Sequence, residues 1–205
     1  MIERCVGVIL AGGGAKRFGG RPKGLELVGG RRIIDRVAGS LASADELMLV
    51  ANDPEAVDWL PGIRCERDVR SGLGSMGGIH AALTHAAGAA VAIVAWDMPF
   101  VPAALVAALR ALGTDGSAAV PESGSRRGVE PLCAYYSSRC LPVIEARLDA
   151  GDRQVISFYD DLPDLRRMPA RTVATFGDPA ILFMNVNTPD DLARAERYAT
   201  TLEQS

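Results

Sequence analysis

Apolar residues along this 205-residue chain fall into two alternating patterns. Short continuous runs rich in valine, isoleucine and leucine are typical of buried strands, whereas apolar residues that recur every three or four positions are typical of helices. The strands that we predict cover 6–10, 47–50, 63–66, 89–96, 118–120, 131–135, 172–176 and 184–187. The helices that we predict cover 31–43, 79–86, 105–109, 138–149, 153–160 and a final segment that begins at Pro189 after Thr188.

This alternation continues without a linker or a repeat and predicts one α/β domain over residues 1–205. The run at 89–96 is apolar throughout, which favours a strand covered by helices on both faces. We therefore expect three layers built around a mostly parallel sheet. Ligands of such sheets bind at the carboxyl ends of the strands, so the polar and glycine-rich segments that follow predicted strands are candidate binding elements.

A glycine-rich loop with four cations follows the first predicted strand. It begins at Ala11-Gly12-Gly13-Gly14 and continues through Lys16, Arg17, Arg21 and Lys23. Glycine lets a ligand approach the backbone closely, and exposed N–H groups beside cations favour phosphate. Lys16 and Lys23 are the two lysines of the whole chain, and an ammonium is a compact charge suited to a phosphate oxygen. We expect the side chain of Lys23, as part of a loop, to bury little surface.

Two common phosphate loops do not fit this segment. A P-loop requires Ser or Thr after its lysine, but Gly24 follows Lys23, and Arg17 occupies the third glycine position of the dinucleotide fingerprint. The pattern that remains, Leu-Ala-Gly-Gly-x-x-x-Arg-x-Gly-Gly-x-x-Lys over 10–23, closely resembles the signature of nucleotidyltransferases. The nearest match is the molybdenum-cofactor guanylyltransferase family. Further segments similar to that family are Asp97-Met98-Pro99, Glu130-Pro131-Leu132, Gly151-Asp152-Arg153 and Asn185-Val186-Asn187-Thr188-Pro189-Asp190-Asp191-Leu192.

Polar residues also follow the other predicted strands. Asp97 ends the most apolar strand, where a carboxylate is costly unless it holds a cation or a hydrogen-bond network. A magnesium ligand and a structural turn before Pro99 are both open interpretations, and the resemblance favours magnesium. Asn52 is either a turn former or, as the resemblance implies, a nucleotide contact, and Asp68 matches an aspartate with the same implied role.

The resemblance implies a fold, an activity and a set of site residues. The fold would be a Rossmann-like sheet of the nucleotide-diphospho-sugar transferase type. The activity would be transfer of GMP from GTP to the phosphate of molybdopterin, with Mg²⁺ held by Asp97 and with Arg17, Lys23 and Asp97 as the catalytic groups. The implied nucleotide-binding residues are Leu10, Ala11, Gly12, Gly13, Lys23, Asn52, Asp68, Gly74, Gly78 and Asp97. The implied acceptor-binding residues are Arg153, Asn185 and Asn187, although Arg153 also fits a surface cation. For Asn185 and Asn187, a metal, a phosphate and the pterin all remain open as ligands.

Two alternatives remain open at the level of sequence. One is a related transferase that uses CTP or a sugar or alcohol phosphate acceptor. The other is a nucleotide-binding module without turnover, against which the set of Arg17, Lys23 and Asp97 argues. The related cytidylyltransferases tend to carry alanine where this chain has Gly12, and the resemblance therefore implies a preference for GTP. Ser75 and Met76 depart from the Gly-Pro-Leu-Ala-Gly that the family usually shows on the facing loop.

Composition narrows the remaining classes of function. A formal net charge of −3 argues against a nucleic-acid-binding face. The four cysteines lack zinc-site spacing and predict reduced, mostly buried thiols in a cytoplasmic protein, and no apolar run is long enough for a membrane span. The expected partners are GTP and molybdopterin. A monomer, a small homo-oligomer and transient contact with proteins that deliver or receive the cofactor all remain open.

Overall fold

Strands and helices alternate along the chain of this computed structural model, which describes residues 3–12 and 22–203. Within those ranges the strands are β1 (Cys5–Ala11), β2 (Leu27–Val28), β3 (Arg31–Arg32), β4 (Glu46–Ala51), β5 (Arg64–Glu66), β6 (Ala90–Ala95), β7 (Ala118–Pro121), β8 (Cys133–Tyr136) and β9 (Leu165–Met168). The helices there are α1 (Ile33–Ser40), α2 (Gly74–His85), α3 (Ala103–Gly113), α4 (Cys140–Asp149), α5 (Ala170–Val173), α6 (Pro179–Leu182) and α7 (Pro189–Glu203). None of these helices is long and apolar enough to cross a membrane.

The main sheet of the described residues has seven strands in the order β5-β4-β1-β6-β8-β7-β9. β8 is antiparallel to both of its neighbours, and the remaining pairs are parallel. The prediction of a mostly parallel sheet is therefore confirmed. β1 lies between β4 and β6, with Leu10 paired to Val50 on one side and to Ala95 on the other. The segments that follow these three strands consequently meet at one edge of the sheet.

Helices cover both faces of the sheet, as the uniformly apolar strands predict. Alternate residues of β1 point to opposite faces: Ile9 joins one apolar cluster, whereas Val8 and Leu10 join the other. The first cluster includes buried residues of α1, α3 and α7, and the second includes buried residues of α2 and α4. The two clusters and the sheet between them are the three expected layers.

The strand predicted at 172–176 is wrong, and the strand at this edge of the sheet is not among the predicted ones. Residues 172–176 form the end of α5 and a 3-10 turn instead of a strand, because the backbone N–H groups of Thr172 and Val173 bond to the carbonyl of Pro169. The strand at this edge is β9, which contains Arg166 and Arg167 and pairs only with β7 among the described strands. Charged residues are common on such edge strands, where one side of the backbone has no partner.

Two further predicted elements and one boundary differ from the sequence prediction. The segment 184–187 has no regular secondary structure, and residues 153–160 form a loop and a 3-10 turn (Ser157–Asp161) instead of a helix. α2 begins at Gly74, five residues before the start of the helix predicted at 79–86, so Gly74, Gly77 and Gly78 lie in its first turns. The strands predicted at 118–120 and 131–135 are present as β7 and β8, which pair antiparallel, and the predicted final helix is confirmed.

Candidate active site

A cavity of about 480 Å³ opens at the carboxyl ends of β1, β4 and β6. It has the size of an ordinary small-molecule site. The sequence-predicted residues that line it are Leu10, Ala11, Gly12, Lys23, Asn52, Asp68, Gly74, Gly78, Asp97, Asn185 and Asn187. The fold thus brings Leu10 and Asn187, which lie 177 positions apart in the sequence, to the same cavity.

The Lys23 ammonium is the centre of the polar contacts in this cavity. Its Nζ donates to Asp97 Oδ2 at 2.5 Å and to Asn187 Oδ1 at 2.6 Å. The expectation that Lys23 buries little is wrong, because the residue is only 7% exposed. A buried ammonium requires a charged partner, and Asp97, itself 8% exposed, supplies it.

Local packing explains how Lys23 reaches this position. Residues Lys23–Leu25 form a 3-10 turn, and the Trp96 ring packs against Gly24 so closely that a Cβ there would lie 2.4 Å from Trp96 Cε3. The same ring lies 5.9 Å from Lys23 Nζ and stacks on Trp59, with ring centroids 5.1 Å apart. Trp96 therefore stabilises the position of Lys23 through cation–π attraction to the ammonium and through packing against Gly24. This role is not predicted from the sequence, although Trp96 immediately precedes Asp97 there.

Asp97 and the segment that carries Asn187 are joined through the backbone. The N–H of Val186 donates to the carbonyl of Asp97 at 2.9 Å, and the N–H of Trp96 donates to the carbonyl of Leu10 at 3.1 Å. These bonds join the ends of β1 and β6 and the segment 184–187 to one another. The bond from Val186 holds this segment beside the site, although it is not a strand of the sheet.

Asn52 and Asp68 form a second polar pair at the edge of the cavity. Asn52 Nδ2 donates to Asp68 Oδ2 at 2.7 Å, and the backbone N–H of Asp68 donates to Asn52 Oδ1 at 3.0 Å. Each residue orients the other, and the second oxygen of the Asp68 carboxylate makes no hydrogen bond to the described residues. An oriented carboxylate can accept hydrogen bonds from the N–H groups of a ligand.

The amino-terminal end of α2 forms another wall. Gly74, Ser75 and Gly78 line the cavity there. The first N–H groups of a helix have no partner within the helix, and its dipole favours negative charge at this end. A Cβ at Gly74 would meet no atom within 4 Å in the part of the chain that the structure describes, but the residue has a φ of +60°, which favours glycine.

Three predicted site residues are not placed at the cavity. Gly13 and Arg17 lie outside the described residues, as do Lys16 and Arg21. Arg153 is exposed in the loop after α4 and is not one of the residues that line the cavity. Leu132 does line it, and its carbonyl accepts a hydrogen bond from the N–H of Ala95 at 2.8 Å.

The donor set fits a metal ion that arrives with phosphates. Within the described ranges no three His, Cys, Asp or Glu side chains lie close enough to hold a metal ion on their own. Mg²⁺ is commonly held by one or two carboxylates, with phosphates and water as the remaining ligands. Asp97 is the carboxylate at the base of this cavity, and the amides of Asn185 and Asn187 lie on the same lining.

Comparison with known proteins assigns the family. The model of the MobA-like NTP transferase domain matches residues 7–164. The chain belongs to this family. A molybdenum cofactor guanylyltransferase from Desulfosudis oleivorans is 34% identical over 197 residues, which cover 95% of this chain and 96% of that protein. The MobA-like domain is a nucleotidyltransferase domain, so the predicted class of enzyme is confirmed.

Solved structures of MobA-like and related proteins share the fold. Molybdopterin-guanine dinucleotide biosynthesis protein A from Archaeoglobus fulgidus is 30% identical, with a TM-score of 0.79 over 96% of this chain and 99% of that chain. A Mycobacterium tuberculosis protein solved in complex with manganese is 21% identical, with a TM-score of 0.67 over 96% of this chain and 100% of that chain. The predicted fold is therefore confirmed.

Proposed function

We propose that this protein transfers GMP from GTP to the phosphate of molybdopterin and releases pyrophosphate. An oxygen of the molybdopterin phosphate forms a bond to the α-phosphorus of GTP, and the bond between the α-phosphorus and the bridging oxygen to the β-phosphate breaks. The product is molybdopterin guanine dinucleotide. The attacking phosphate is already an anion, so no protein nucleophile is required.

The contact between Lys23 and Asp97 at the base of the cavity carries this proposal. Transfer of a nucleotidyl group is catalysed mainly by positioning and by neutralisation of charge. Lys23 provides a buried cation for the triphosphate and the departing pyrophosphate, and we assign Arg17 the same task. Asp97 would hold Mg²⁺, which neutralises phosphate charge when bound; the manganese complex of the related fold supports a divalent metal.

The remaining cavity residues divide between the two substrates. Leu10, Ala11 and Gly12 offer backbone groups to the nucleotide, and the oriented carboxylate of Asp68 suits the N–H groups of guanine. We assign Asn185 and Asn187, which also line the cavity, to the acceptor. We keep Arg153 as a proposed acceptor contact that would have to reach the cavity rim from its exposed loop.

The setting of the reaction is also a proposal. Cys5, Cys65, Cys133 and Cys140 are all free thiols. Free thiols are typical of a reducing compartment, which supports the cytoplasm as the site of the reaction.

A screen of nucleotides tests the proposed function. Molybdopterin is incubated with GTP, CTP, ATP or UTP and Mg²⁺, and pyrophosphate release and the dinucleotide product are measured. We expect turnover with GTP, and none above background for Asp97→Asn, which keeps the shape of the side chain but removes its charge. Comparable turnover with CTP would contradict the assignment of the base, and pyrophosphate release without molybdopterin would contradict the assignment of the acceptor.

A further inference from the structure

The carboxylate of Asp191, in the first turn of α7, accepts hydrogen bonds from the two residues that precede the helix. Its Oδ2 accepts hydrogen bonds from the N–H of Asn187 at 3.1 Å, the N–H of Thr188 at 3.0 Å and the hydroxyl of Thr188 at 2.9 Å. The N–H of Asp191 donates to the Thr188 hydroxyl at 3.2 Å. This reciprocal arrangement is a capping box, which fixes the angle at which the chain enters a helix.

Asn187 connects this capping box to the candidate active site. Asn187, whose backbone N–H is held by Asp191, presents its side-chain Oδ1 to Lys23 Nζ at 2.6 Å. A path of two hydrogen bonds therefore joins the Asp191 carboxylate to the ammonium that contacts Asp97. Burial raises the pKa of Asp191, but hydrogen bonds from Thr188 and Asn187 outweigh this effect, so the net pKa is below its usual value and the carboxylate is charged at neutral pH.

We propose that Asp191 is a positioning residue for nucleotidyl transfer: it fixes Asn187 so that the amide oxygen holds the Lys23 ammonium where the triphosphate binds. This role rests on the proposed function, because it assigns Lys23 to the triphosphate. Asp191 itself does not line the cavity. Its effect on the nucleotide must pass through Asn187 and Lys23.

Asp190 provides a matched control on the same helical turn. It carries the same charge in the same first turn of α7, and it is exposed. No hydrogen bond or ion pair joins its side chain to the described residues. Both aspartates interact similarly with the helix dipole, so a difference between their alanine variants isolates the capping contacts of Asp191.

The experiment measures the dissociation constant of GTP and the kinetics of pyrophosphate release for Asp191→Ala, Asp191→Asn and Asp190→Ala, each alone and combined with Asn187→Ala. We expect Asp191→Ala to weaken GTP binding and raise KM by about tenfold, the lower end of what loss of an outer-shell partner costs. Asp190→Ala leaves both constants unchanged. Asp191→Asn retains an acceptor oxygen and recovers part of the loss.

The combined variants distinguish positioning from simple stabilisation. If Asp191 acts through the Asn187 side chain, Asp191→Ala has no further effect on GTP binding once Asn187 is alanine. A merely structural role would lower the melting temperature and the active fraction, but the dissociation constant of the folded protein would not change. The same factor in both backgrounds, or equal constants for Asp191→Ala and Asp190→Ala, would overturn the proposal.

A second variant and a separate measurement cover misfolding of Asp191→Ala and failure of the proposed function. Thr188→Val removes the hydroxyl of the capping box and keeps the shape of the side chain, so it replaces Asp191→Ala if that variant does not fold; we expect the same direction and a smaller change. Failure of the proposed function is seen separately, as absence of pyrophosphate release from the unaltered protein. GTP binding by the variants still reports on positioning in that case.

Discussion

The Lys23 ammonium lies 2.5 Å from the Asp97 carboxylate, and the two side chains are 9% and 11% exposed. The two groups that we assign to phosphate and metal thus neutralise one another in the absence of substrate. A metal–nucleotide complex carries both a cation and anionic phosphates. A phosphate can therefore replace Asp97 as the partner of Lys23, and the metal ion can replace Lys23 as the partner of Asp97.

Substitution of Lys23 should impair stability as well as turnover. Removing one partner of a buried ion pair leaves the other charge uncompensated and costs about 3–5 kcal/mol. We expect Lys23→Ala to lower the free energy of unfolding by an amount in this range, measured by urea denaturation, and to lose most nucleotidyl transfer. The double variant Lys23→Met, Asp97→Leu should regain much of the stability but none of the activity. Unchanged stability of Lys23→Ala would show that the ion pair contributes little.

Gly24 and Gly12 should respond differently to alanine. A Cβ at Gly24 would overlap the Trp96 ring, whereas a Cβ at Gly12 would meet no atom of the described residues within 4 Å. We expect Gly24→Ala to destabilise the protein by about 1–3 kcal/mol, as overpacking does. Gly12→Ala should stay within about 0.5 kcal/mol of the unaltered protein, while its preference for GTP over CTP falls because the backbone there faces the cavity. Denaturation measures the stability of both variants, and competition between GTP and CTP measures the nucleotide preference of Gly12→Ala. An equal loss of stability in Gly24→Ala and Gly12→Ala would contradict the packing argument.

Tryptophan fluorescence should report on the occupied cavity. The chain has two tryptophans, Trp59 and Trp96, and only Trp96 lines the cavity. In a Trp59→Phe variant the emission comes from Trp96 alone and should change on titration with GTP and Mg²⁺. The reciprocal Trp96→Phe variant, which retains Trp59, is the control and should show little change. An equal response from both variants would indicate a rearrangement that extends beyond the cavity.

Alkylation of the thiols should be ordered by burial. Burial raises the pKa of Cys5 to about 11 and that of Cys140 to about 12, and it also raises the pKa of the fully buried Cys133. Cys65 is only partly buried. The thiolate is the reactive form, so iodoacetamide at pH 8 should modify Cys65 first, at a rate that rises with pH. Mass spectrometry of the folded and urea-unfolded protein checks this order, and Cys65→Ser should remain unmodified while folded.

The sequence predicts those parts of the fold that depend on local pattern. β1 and β6 are largely apolar runs, and their assignment as buried strands of a layered sheet follows from composition. α5 is different: the β-branched residues Thr172 and Val173 favour a strand locally, but the carbonyl of Pro169 accepts the N–H groups of this segment. β9 contains two arginines and becomes a strand through its pairing with β7.

The residues of the site are easier to predict than their interactions. Glycines, Asp97 and Asn52 can be found because they follow apolar strands, and the cavity brings them together. The burial of Lys23 cannot be read locally, because its partners lie 74 and 164 residues away. Trp96 looked like the last apolar residue of a strand, and only the packing of Gly24 against its ring shows its second role.

The bond between Lys23 and Asn187 also has a consequence for the protein during its synthesis. Ribosomes synthesise the chain from its amino terminus, so the glycine-rich loop, Lys23 and Asp97 leave the ribosome well before residues 184–191. A nascent chain that has reached α6 contains the seven strands of the described main sheet. It still lacks the Asn187 amide that holds Lys23 and the backbone bond from Val186 to Asp97. Competence to bind the nucleotide should therefore arise abruptly and late, when α7 leaves the exit tunnel and docks.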